Sequence, residues 1–537
     1  MEKRILIAFL LSFAVLYLSR FLLPPPPPPE KPAPNVETPV VPPAPAAVTP
    51  QPQETAGESI QAESERDEVV DTELYQAVVS NKGGVLKSFQ LKKFPDASGK
   101  PTELIDAYAA GQVGFPLALG TADPALNKLL SEARFVVTPG DHNLTLEYRA
   151  GGVMARKRIE FDPAKYQARI STELAQNGTA VPHDILLQGE ISDQSIPDDP
   201  AKRFAIYQAS GKFHRVSLPG IDEPVAGVSG SLAGVEDQYF LVMFVRDKET
   251  PIKVAKQDYQ LPDLPDGTKG LAARGLSVAV PSTDTMTLYI GPKQEDSLVA
   301  VDPRLGSAPN YGWYLFAVIA KPLLVTLRWI DSYIGNYGWS IIVLTILINM
   351  VLFPLRVKQQ LAMQKMQKMA PQLKQLQEKY KKLKPGDPKR SEVEKELMAI
   401  NKQQLSGCLP LLLQMPLLFA FLNMMTAAVE LRGAPWILWI KDLSVEDPLF
   451  ILPILMGVAM FIQMKMSPTS PDPAQARMML ITPVLVTILF LWYGSASGLT
   501  LYWLTGNVIS IGQQWFIRKF WADDDVPRPT RGQPAPA

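Results

Sequence analysis

Residues 337–383 constrain this chain most, because they join a long apolar run directly to a strongly basic one. The run YGWSIIVLTILINMVLFPL is long enough to cross a bilayer as a helix. The segment that follows, RVKQQLAMQKMQKMAPQLKQLQEKYKKL, is amphipathic and rich in lysine. Positive segments next to a span stay in the cytoplasm, so this junction predicts both a membrane span and its orientation.

The start of the chain predicts an anchor and a tether. Lys3 and Arg4 precede an apolar run that reaches Leu23 without a small-residue cleavage site. Residues 1–23 are therefore predicted to be an uncleaved signal-anchor span, with a cleaved signal peptide as the alternative. Residues 24–66 are dominated by Pro, Ala, Glu, Thr and Gln, a composition that predicts a disordered, partly extended linker.

Residues 67–305 predict one all-β domain, most simply a large antiparallel sandwich. Short alternating or β-branched runs recur between Gly, Pro, Asn and Asp, and helical periodicity is nearly absent except around Pro124–Ala133. The single cysteine, Cys408, and the scattered histidines predict neither a disulfide nor a metal site, and no catalytic residue stands out. The predicted strand runs are YQAVVSN, VLKSFQL, ARFVVTP, NLTLEYRA, ARKRIEF, QARISTEL, DQYFLVMFV, LSVAVP and TMTLYIG.

The segment 311–335 is rich in aromatic residues and is amphipathic. Lys321, Arg328 and Asp331 interrupt its apolar residues, and Pro322 is expected to break a simple spanning helix. The segment is therefore predicted to be an interfacial helix on the outer leaflet, with a further span as the alternative.

Residues 337–517 predict a core of five spans, which with the anchor makes six. The linking segments alternate in charge: the first is strongly basic, 429–448 holds more acids than bases, and the C-terminal end is basic again. This alternation predicts that both termini are cytoplasmic and that the β domain lies on the other side. The five predicted spans are Gly338–Leu355, Cys408–Ala428, Leu449–Met464, Met478–Tyr493 and Leu499–Ile517.

The basic segment 356–405 predicts a cytoplasmic helical hairpin. Apolar residues from Met366 to Leu383 are spaced as in a coiled-coil seam, KPGDP supplies the turn, and Pro371 either kinks the first helix or begins a new one. The candidate functional lysines of this hairpin are Lys365, Lys368, Lys374, Lys381 and Lys382.

Several strings resemble the YidC family of membrane protein insertases, in its Gram-negative form with a large periplasmic domain. The specific ones are GCLPLLLQMPLLFAF (407–421), LRGAPWILWIKDLS (431–444), DPLFILPILMGVAMF (447–461), KMSPT (465–469) and SGLTLYWLTGNVISIGQQW (497–515). The β domain resembles the family more loosely, in GVEDQYF (234–240) and YGWYLF (311–316). The resemblance implies a multi-pass protein of the bacterial inner membrane that carries out insertion without an enzymatic step, a cofactor or a nucleotide.

The resemblance also implies a hydrophilic groove that opens to the cytoplasm and to lipid and is closed on the outer side. Polar residues inside apolar spans are costly and usually face a cavity or a partner, although hydrogen bonds between helices are an alternative explanation here. Asn349 stands where the family usually has an arginine, which predicts a less electropositive groove, and Arg356 lies too near the cytoplasmic end to replace that arginine simply. The candidate groove residues are Thr345, Asn349, Gln414, Asn423, Tyr502, Trp503, Asn507, Ser510 and Gln513.

The implied partners are nascent membrane proteins, the Sec translocon, membrane lipids and, weakly or transiently, the ribosome. Two other classes of protein are less well supported. A secondary transporter would need repeats or charged residues at the membrane midplane, which the last five spans lack. A membrane-anchored periplasmic enzyme acting on carbohydrates would need a catalytic constellation in the β domain, and none is visible.

Deleting Lys365–Lys402 and joining the ends with a short linker should lower insertion and leave the six predicted spans intact. The hairpin has one weak apolar seam and a charged exterior, so it contributes little to folding. The measurement is protease protection of a single-span client in proteoliposomes. Unchanged insertion would contradict a receiving role for the hairpin.

Overall fold

The computed structural model describes residues 59–96, 99–194, 202–217, 225–262, 272–282, 284–383, 391, 393–396, 416–467 and 473–520. Outside these residues lie the predicted anchor, most of the linker, Cys408, Gln414, the KPGDP turn, most of the returning hairpin helix and the tail after Phe520.

The first described part is an antiparallel β domain. Its strands are β1 (Asp67–Asp71), β2 (Tyr75–Ser80), β3 (Val85–Pro95), β4 (Pro101–Glu103), β5 (Ile105–Asp106), β6 (Ala118–Gly120), β7 (Val136–Pro139), β8 (Asn143–Ala150), β9 (Val153–Phe161), β10 (Gln167–Gln176), β11 (Thr179–Ala180), β12 (Asp184–Leu187), β13 (Glu190–Ile191), β14 (Phe204–Ala209), β15 (Lys212–Ser217), β16 (Val225–Glu236), β17 (Phe240–Gln260), β18 (Ala272–Pro281) and β19 (Met286–Pro292). The predicted strand runs all fall on these strands, so the prediction of a β domain is confirmed.

The strands form three sheets. A 4-stranded sheet has the order β1-β2-β3-β4, and β5 pairs with β13 in a second sheet. The third is a 13-stranded sheet with the path β15-β14-β16-β17-β19-β10-β9-β8-β7, to which β18, β12, β6 and β11 are attached. Apolar residues of the sheets share one core, whose largest fully buried aromatic side chains are Tyr75, Phe89, Phe135, Phe244 and Tyr289.

Among the described residues of this domain, three short helices accompany the strands: α1 (Ala107–Val113), α2 (Pro124–Glu132) and α3 (Glu295–Val299). Only α2 was expected from periodicity. Its start is set by Pro124 and by the Asp123 side chain, which accepts a hydrogen bond from the Ala125 N–H. Helices α1 and α3 are too short to give a periodic signal, so the sequence did not predict them.

The second described part is helical. Its helices are α4 (Tyr314–Ile334), α5 (Tyr337–Val351), α6 (Phe353–Lys382), α7 (Pro416–Ala427), α8 (Ile451–Met466), α9 (Pro473–Tyr493) and α10 (Ser497–Phe520). Helix α10 packs against α5, α6 and α8, while α9 packs against α8 and α4 against α5. Short 3-10 turns lie at Pro303–Ser307 and Val429–Leu431.

Pro322 does not end helix α4, contrary to the expectation that it would break this segment. The proline is on the exposed side of the helix. The opposite side carries an uninterrupted buried stripe of Ala320, Leu324, Leu327 and Ile330. Packing of this stripe sustains the helix although Pro322 supplies no N–H.

The apolar run predicted as one span, Gly338–Leu355, is divided between two helices. Helix α5 ends at Val351, α6 begins at Phe353, and the two are bent by 55°. Pro354 lies in the first turn of α6, where its missing N–H is harmless. Helix α6 then continues through Pro371 to Lys382.

No single helix among the described residues is both long and apolar enough to cross a membrane on its own. The segment Tyr337–Val351 with Phe353–Leu361 meets that criterion only as a bent pair. Shorter apolar helices cover Pro416–Ala427, Ile451–Met466 and Leu480–Trp492. The count of six spans therefore stays a prediction.

Lys157 is the one charged residue in the buried stripe of β9, where every second residue from Val153 to Phe161 faces the core. Its Nζ donates hydrogen bonds to the carbonyl oxygens of Gly84 and Leu117. Burial lowers the pKa of Lys157 to about 7, because the charged amine is poorly solvated in the core.

The free energy of unfolding of the β domain should rise as pH increases above about 7. With the pKa of Lys157 lowered in the folded state, the unfolded state binds more protons between about pH 7 and the ordinary lysine value of 10.5. Thermal unfolding of the purified chain across this range is the measurement. Lys157→Met should flatten the rise, whereas Arg158→Met, at an exposed neighbouring position, should leave it as in the parent; equal slopes in parent and Lys157→Met would contradict the assignment.

Candidate functional site

Thr345 and Asn349 lie one turn apart on α5, and both are buried, as expected for one helix face. Thr345 Oγ1 donates to the Ile341 carbonyl at 2.6 Å, and Asn349 Nδ2 donates to the Thr345 carbonyl at 2.7 Å. Asn349 Oδ1 is buried and has no hydrogen-bond partner. This face therefore presents an acceptor that water or a ligand group can satisfy.

Helix α10 brings three more candidate residues to the same place. Asn507 and Ser510 are buried, and Gln513 is half-buried. Ser510 Oγ donates to the Gly506 carbonyl at 2.7 Å, while Asn507 Nδ2 has no partner. Gln513 Nε2 donates to the Asn349 carbonyl at 3.2 Å, which joins the polar faces of α5 and α10.

Arg356, on the first turn of α6, places a positive charge in this cluster. Its guanidinium donates to Ser510 Oγ and, at 3.1 Å, to Gln513 Oε1. The sequence analysis had set Arg356 aside as too near the cytoplasmic end, whereas the structure places its charge beside these polar side chains. Sequence reasoning missed Arg356 because it assumed one straight helix through residue 355, whereas the chain bends before this residue. The polar cluster is defined here as Thr345, Asn349, Arg356, Asn507, Ser510 and Gln513.

The aromatic candidates border the polar cluster. The Tyr502 ring stacks on Phe421 with centroids 3.6 Å apart, and Tyr502 is near enough to Arg356 to interact with its charge. The Trp503 ring meets Phe490 edge-on at 5.2 Å. Both aromatic residues are on α10, the helix that also carries Asn507, Ser510 and Gln513.

Asn423 is not part of the polar cluster, and the structure does not describe the side chains of the remaining predicted residues. Asn423 packs against Gly312, where a β-carbon would lie 2.3 Å from its Nδ2, near the start of α4. Gln414 lies outside the described residues. The five hairpin lysines named above are all on helix α6, but their side chains are outside the described set.

Three titratable side chains of the β domain, Glu190, His183 and His214, have contact partners within the domain. Glu190 forms a buried ion pair with Arg203, and burial raises the pKa of Glu190 to about 7 although the positive charge of Arg203 opposes this shift. His183 contacts Thr172 at 2.8 Å, and the His214 ring stacks on Tyr207. In the part of the chain that the structure describes, no group of three His, Cys, Asp or Glu side chains could hold a metal ion.

Comparison with known proteins gives the same family for both parts of the chain. The family described as "60Kd inner membrane protein" matches residues 329–524, and "YidC periplasmic domain" matches residues 68–326. A protein of Syntrophus aciditrophicus named "Membrane protein insertase YidC" is 33% identical, with 97% of this chain and 100% of the relative covered. A relative of the same name from Geotalea daltonii is also 33% identical and covers 97% of this chain and 99% of its own length.

A solved structure titled "Active YidC insertase crystal structure with the first transmembrane domain resolved" is 18% identical and covers 87% of this chain and 96% of its own, with a TM-score of 0.36. The two relatives that are 33% identical over 97% of this chain, together with the two family matches, define the class: an inner membrane protein with a periplasmic β domain. The chain belongs to the YidC family of membrane protein insertases. Its relatives are named for insertion and not for an enzymatic reaction, so neither alternative class is favoured.

Replacing Arg356 by Met should destabilise the helical part by about 1–2 kcal/mol, because two hydrogen bonds from a charged donor to α10 are lost. The measurement is denaturant unfolding of the purified chain in detergent. Lys358→Met, at an exposed position two residues away, is the control and should have little effect. Equal stability of the two variants would mean that Arg356 does not hold α6 to α10.

Proposed function

We propose that the polar cluster lines a hydrated groove that receives the polar flank of a nascent membrane protein while its apolar segment passes into lipid. The observation that carries this proposal is the pair of buried polar atoms without partners, Asn349 Oδ1 and Asn507 Nδ2, which lie on the packed helices α5 and α10. Unpaired polar atoms inside a membrane are costly unless water or a bound group satisfies them. A groove that alternately holds water and a polar client segment would satisfy both atoms.

The charge of Arg356 supports a preference for acidic or hydrogen-bonding flanks. Its guanidinium is half-buried and shares its donors between Ser510 and Gln513, so a carboxylate or a peptide carbonyl could compete for them. Charge-assisted hydrogen bonds of this kind are about twice as strong as neutral ones. Flanking segments would be held long enough for the apolar part to leave the groove.

The outward faces of α8 and α9 support the second half of the process. Apart from Lys465 at the end of α8, the described exposed side chains of these helices are apolar, so a client helix leaving the groove would meet a largely apolar surface. These side chains are Ile454, Leu455, Val458, Ile462, Ile481, Val484, Leu485 and Ile488.

The proposed topology has six spans, with both termini and the hairpin 356–405 in the cytoplasm. Helix α4 would lie at the outer interface, where its exposed Trp329 and Tyr333 suit the headgroup region. The basic helix α6 would meet clients as they emerge, beside the Sec translocon or alone, and in weak contact with the ribosome. No nucleotide enters this scheme, because transfer is driven by burial of the client's apolar surface in lipid.

The test is insertion by the purified chain in liposomes with a small single-span client. Asn349→Leu combined with Thr345→Val should lower insertion severalfold and leave the protein folded, because both changes remove polar groups from a buried face. The control, Ile346→Val with Met350→Leu, alters exposed apolar positions of the same helix and should insert as the parent does. Parental insertion by the groove variant would refute the groove.

A further inference from the structure

The loop 429–448, between α7 and α8, lies against the same end of α5 and α10, two of the three helices that carry the polar cluster. The Ser497 N–H donates to the Val445 carbonyl at 2.6 Å, and the Gly498 N–H donates to the Leu443 carbonyl at 2.9 Å. At α5, the Asn336 side chain donates to the Pro435 carbonyl at 3.1 Å. The loop is thus attached to the first residues of α10 and to the residue that begins α5.

Arg432 extends from this loop into the β domain. Its guanidinium forms a two-pronged ion pair with Asp193, in which Nη2 and Oδ1 are 2.8 Å apart. Nη1 donates to the Pro95 carbonyl at 3.0 Å, and the guanidinium carbon lies 5.4 Å from the centre of the Phe240 ring. The side chains are 2% and 0% exposed, so the pair is sealed from solvent.

The β domain holds Asp193 in place for this contact. The Asp193 N–H donates to Asp237 Oδ2 at 2.7 Å. The other oxygen of Asp237 accepts from the N–H groups of Tyr239 and Phe240, at 2.8 and 2.6 Å. The sequence analysis noted GVEDQYF (234–240) only as a family resemblance and gave it no role. In the structure, this turn holds Asp193 in the position in which it pairs with Arg432.

Neighbouring contacts strengthen the attachment. Gln238 Nε2 donates to the Thr426 carbonyl at 3.2 Å, and Gln294 Nε2 donates to Glu430 Oε1 at 3.1 Å. Glu430 also pairs with Arg328 on α4 at 2.5 Å. Removing one partner of a buried ion pair leaves an uncompensated charge, so loss of Arg432 or Asp193 is expected to weaken the docking of the loop.

We propose that Arg432 is a positioning residue that keeps the far end of the groove closed by fastening the loop 429–448 to the β domain. A client flank that leaves the groove on this side must pass the loop, so the Arg432–Asp193 pair sets how often that end opens. The β domain then acts as a clamp, which here means that it holds the loop 429–448 of the membrane part in place. The role in insertion rests on the proposed groove, whereas closure of the loop is testable without it.

The first experiment uses a thiol under the loop. Ser497 is 1% exposed and its Oγ has no partner, so Ser497→Cys is a mild change, made together with Cys408→Ser to remove the natural thiol. A membrane-impermeant maleimide is added on the side of the β domain, and its rate of reaction reports the open population. Arg432→Ala should raise that rate by about tenfold or more.

Matched variants separate a clamp from general destabilisation. Asp193→Asn should raise labelling as Arg432→Ala does, and the double variant should add nothing further, because both remove one interaction. Arg432→Lys keeps the charge but not the two-pronged geometry, so it should fall between parent and Arg432→Ala. Arg203→Ala breaks another buried pair, in which both side chains are 6% exposed, within the β domain, and should leave labelling at the parent rate.

Two outcomes would overturn the inference. One is parental labelling in both Arg432→Ala and Asp193→Asn while gel filtration shows folded protein. The other is a rise of the same size in Arg203→Ala. Insertion is measured in parallel with the groove variants: faster labelling of Arg432→Ala together with parental insertion by Asn349→Leu/Thr345→Val would uphold the clamp and refute only the groove.

Discussion

The position of the Arg356 guanidinium governs how the polar cluster is assembled. Burying a charged guanidinium is costly unless polar groups surround it. Here Ser510 and Gln513 accept its hydrogen bonds, and Gln513 in turn donates to the Asn349 carbonyl. One side chain thus joins α6 to α10, and through Gln513 to α5.

Arg432 is also a buried charge that requires polar partners. Its loop lies at the opposite end of α5 and α10. Its charge is buried between the β domain and the helical part, and Asp193 supplies the opposite charge. Buried ion pairs contribute less to stability than to specifying one arrangement among several, because solvation of both charges is lost. The β domain and the helical part are thereby set in one relative position.

Local sequence patterns were informative wherever burial alternates with a fixed period. The strand run ARKRIEF was recognisable because every second residue of β9 faces the core, and the run at 124–133 because its apolar residues recur at helical spacing. Pro322 misled because the rule for proline in a helix is local, while α4 is sustained by packing along its other side. Of the candidate groove residues, Thr345, Asn349, Asn507, Ser510 and Gln513 meet in one cluster, whereas Asn423 lies elsewhere.

The sequence by itself determined the two-part organisation, the β domain and the family, because composition, alternation and specific strings are properties of neighbouring residues. Only the tertiary structure decided where the charges lie. Arg356 reaches Ser510 across 154 positions, and Arg432 reaches Asp193 across 239. The first contact depends on a bend between α5 and α6, and the second on the docking of a loop onto a turn of the β domain. Neither can be read from local pattern, since both arise from the packing of segments that are distant in the chain.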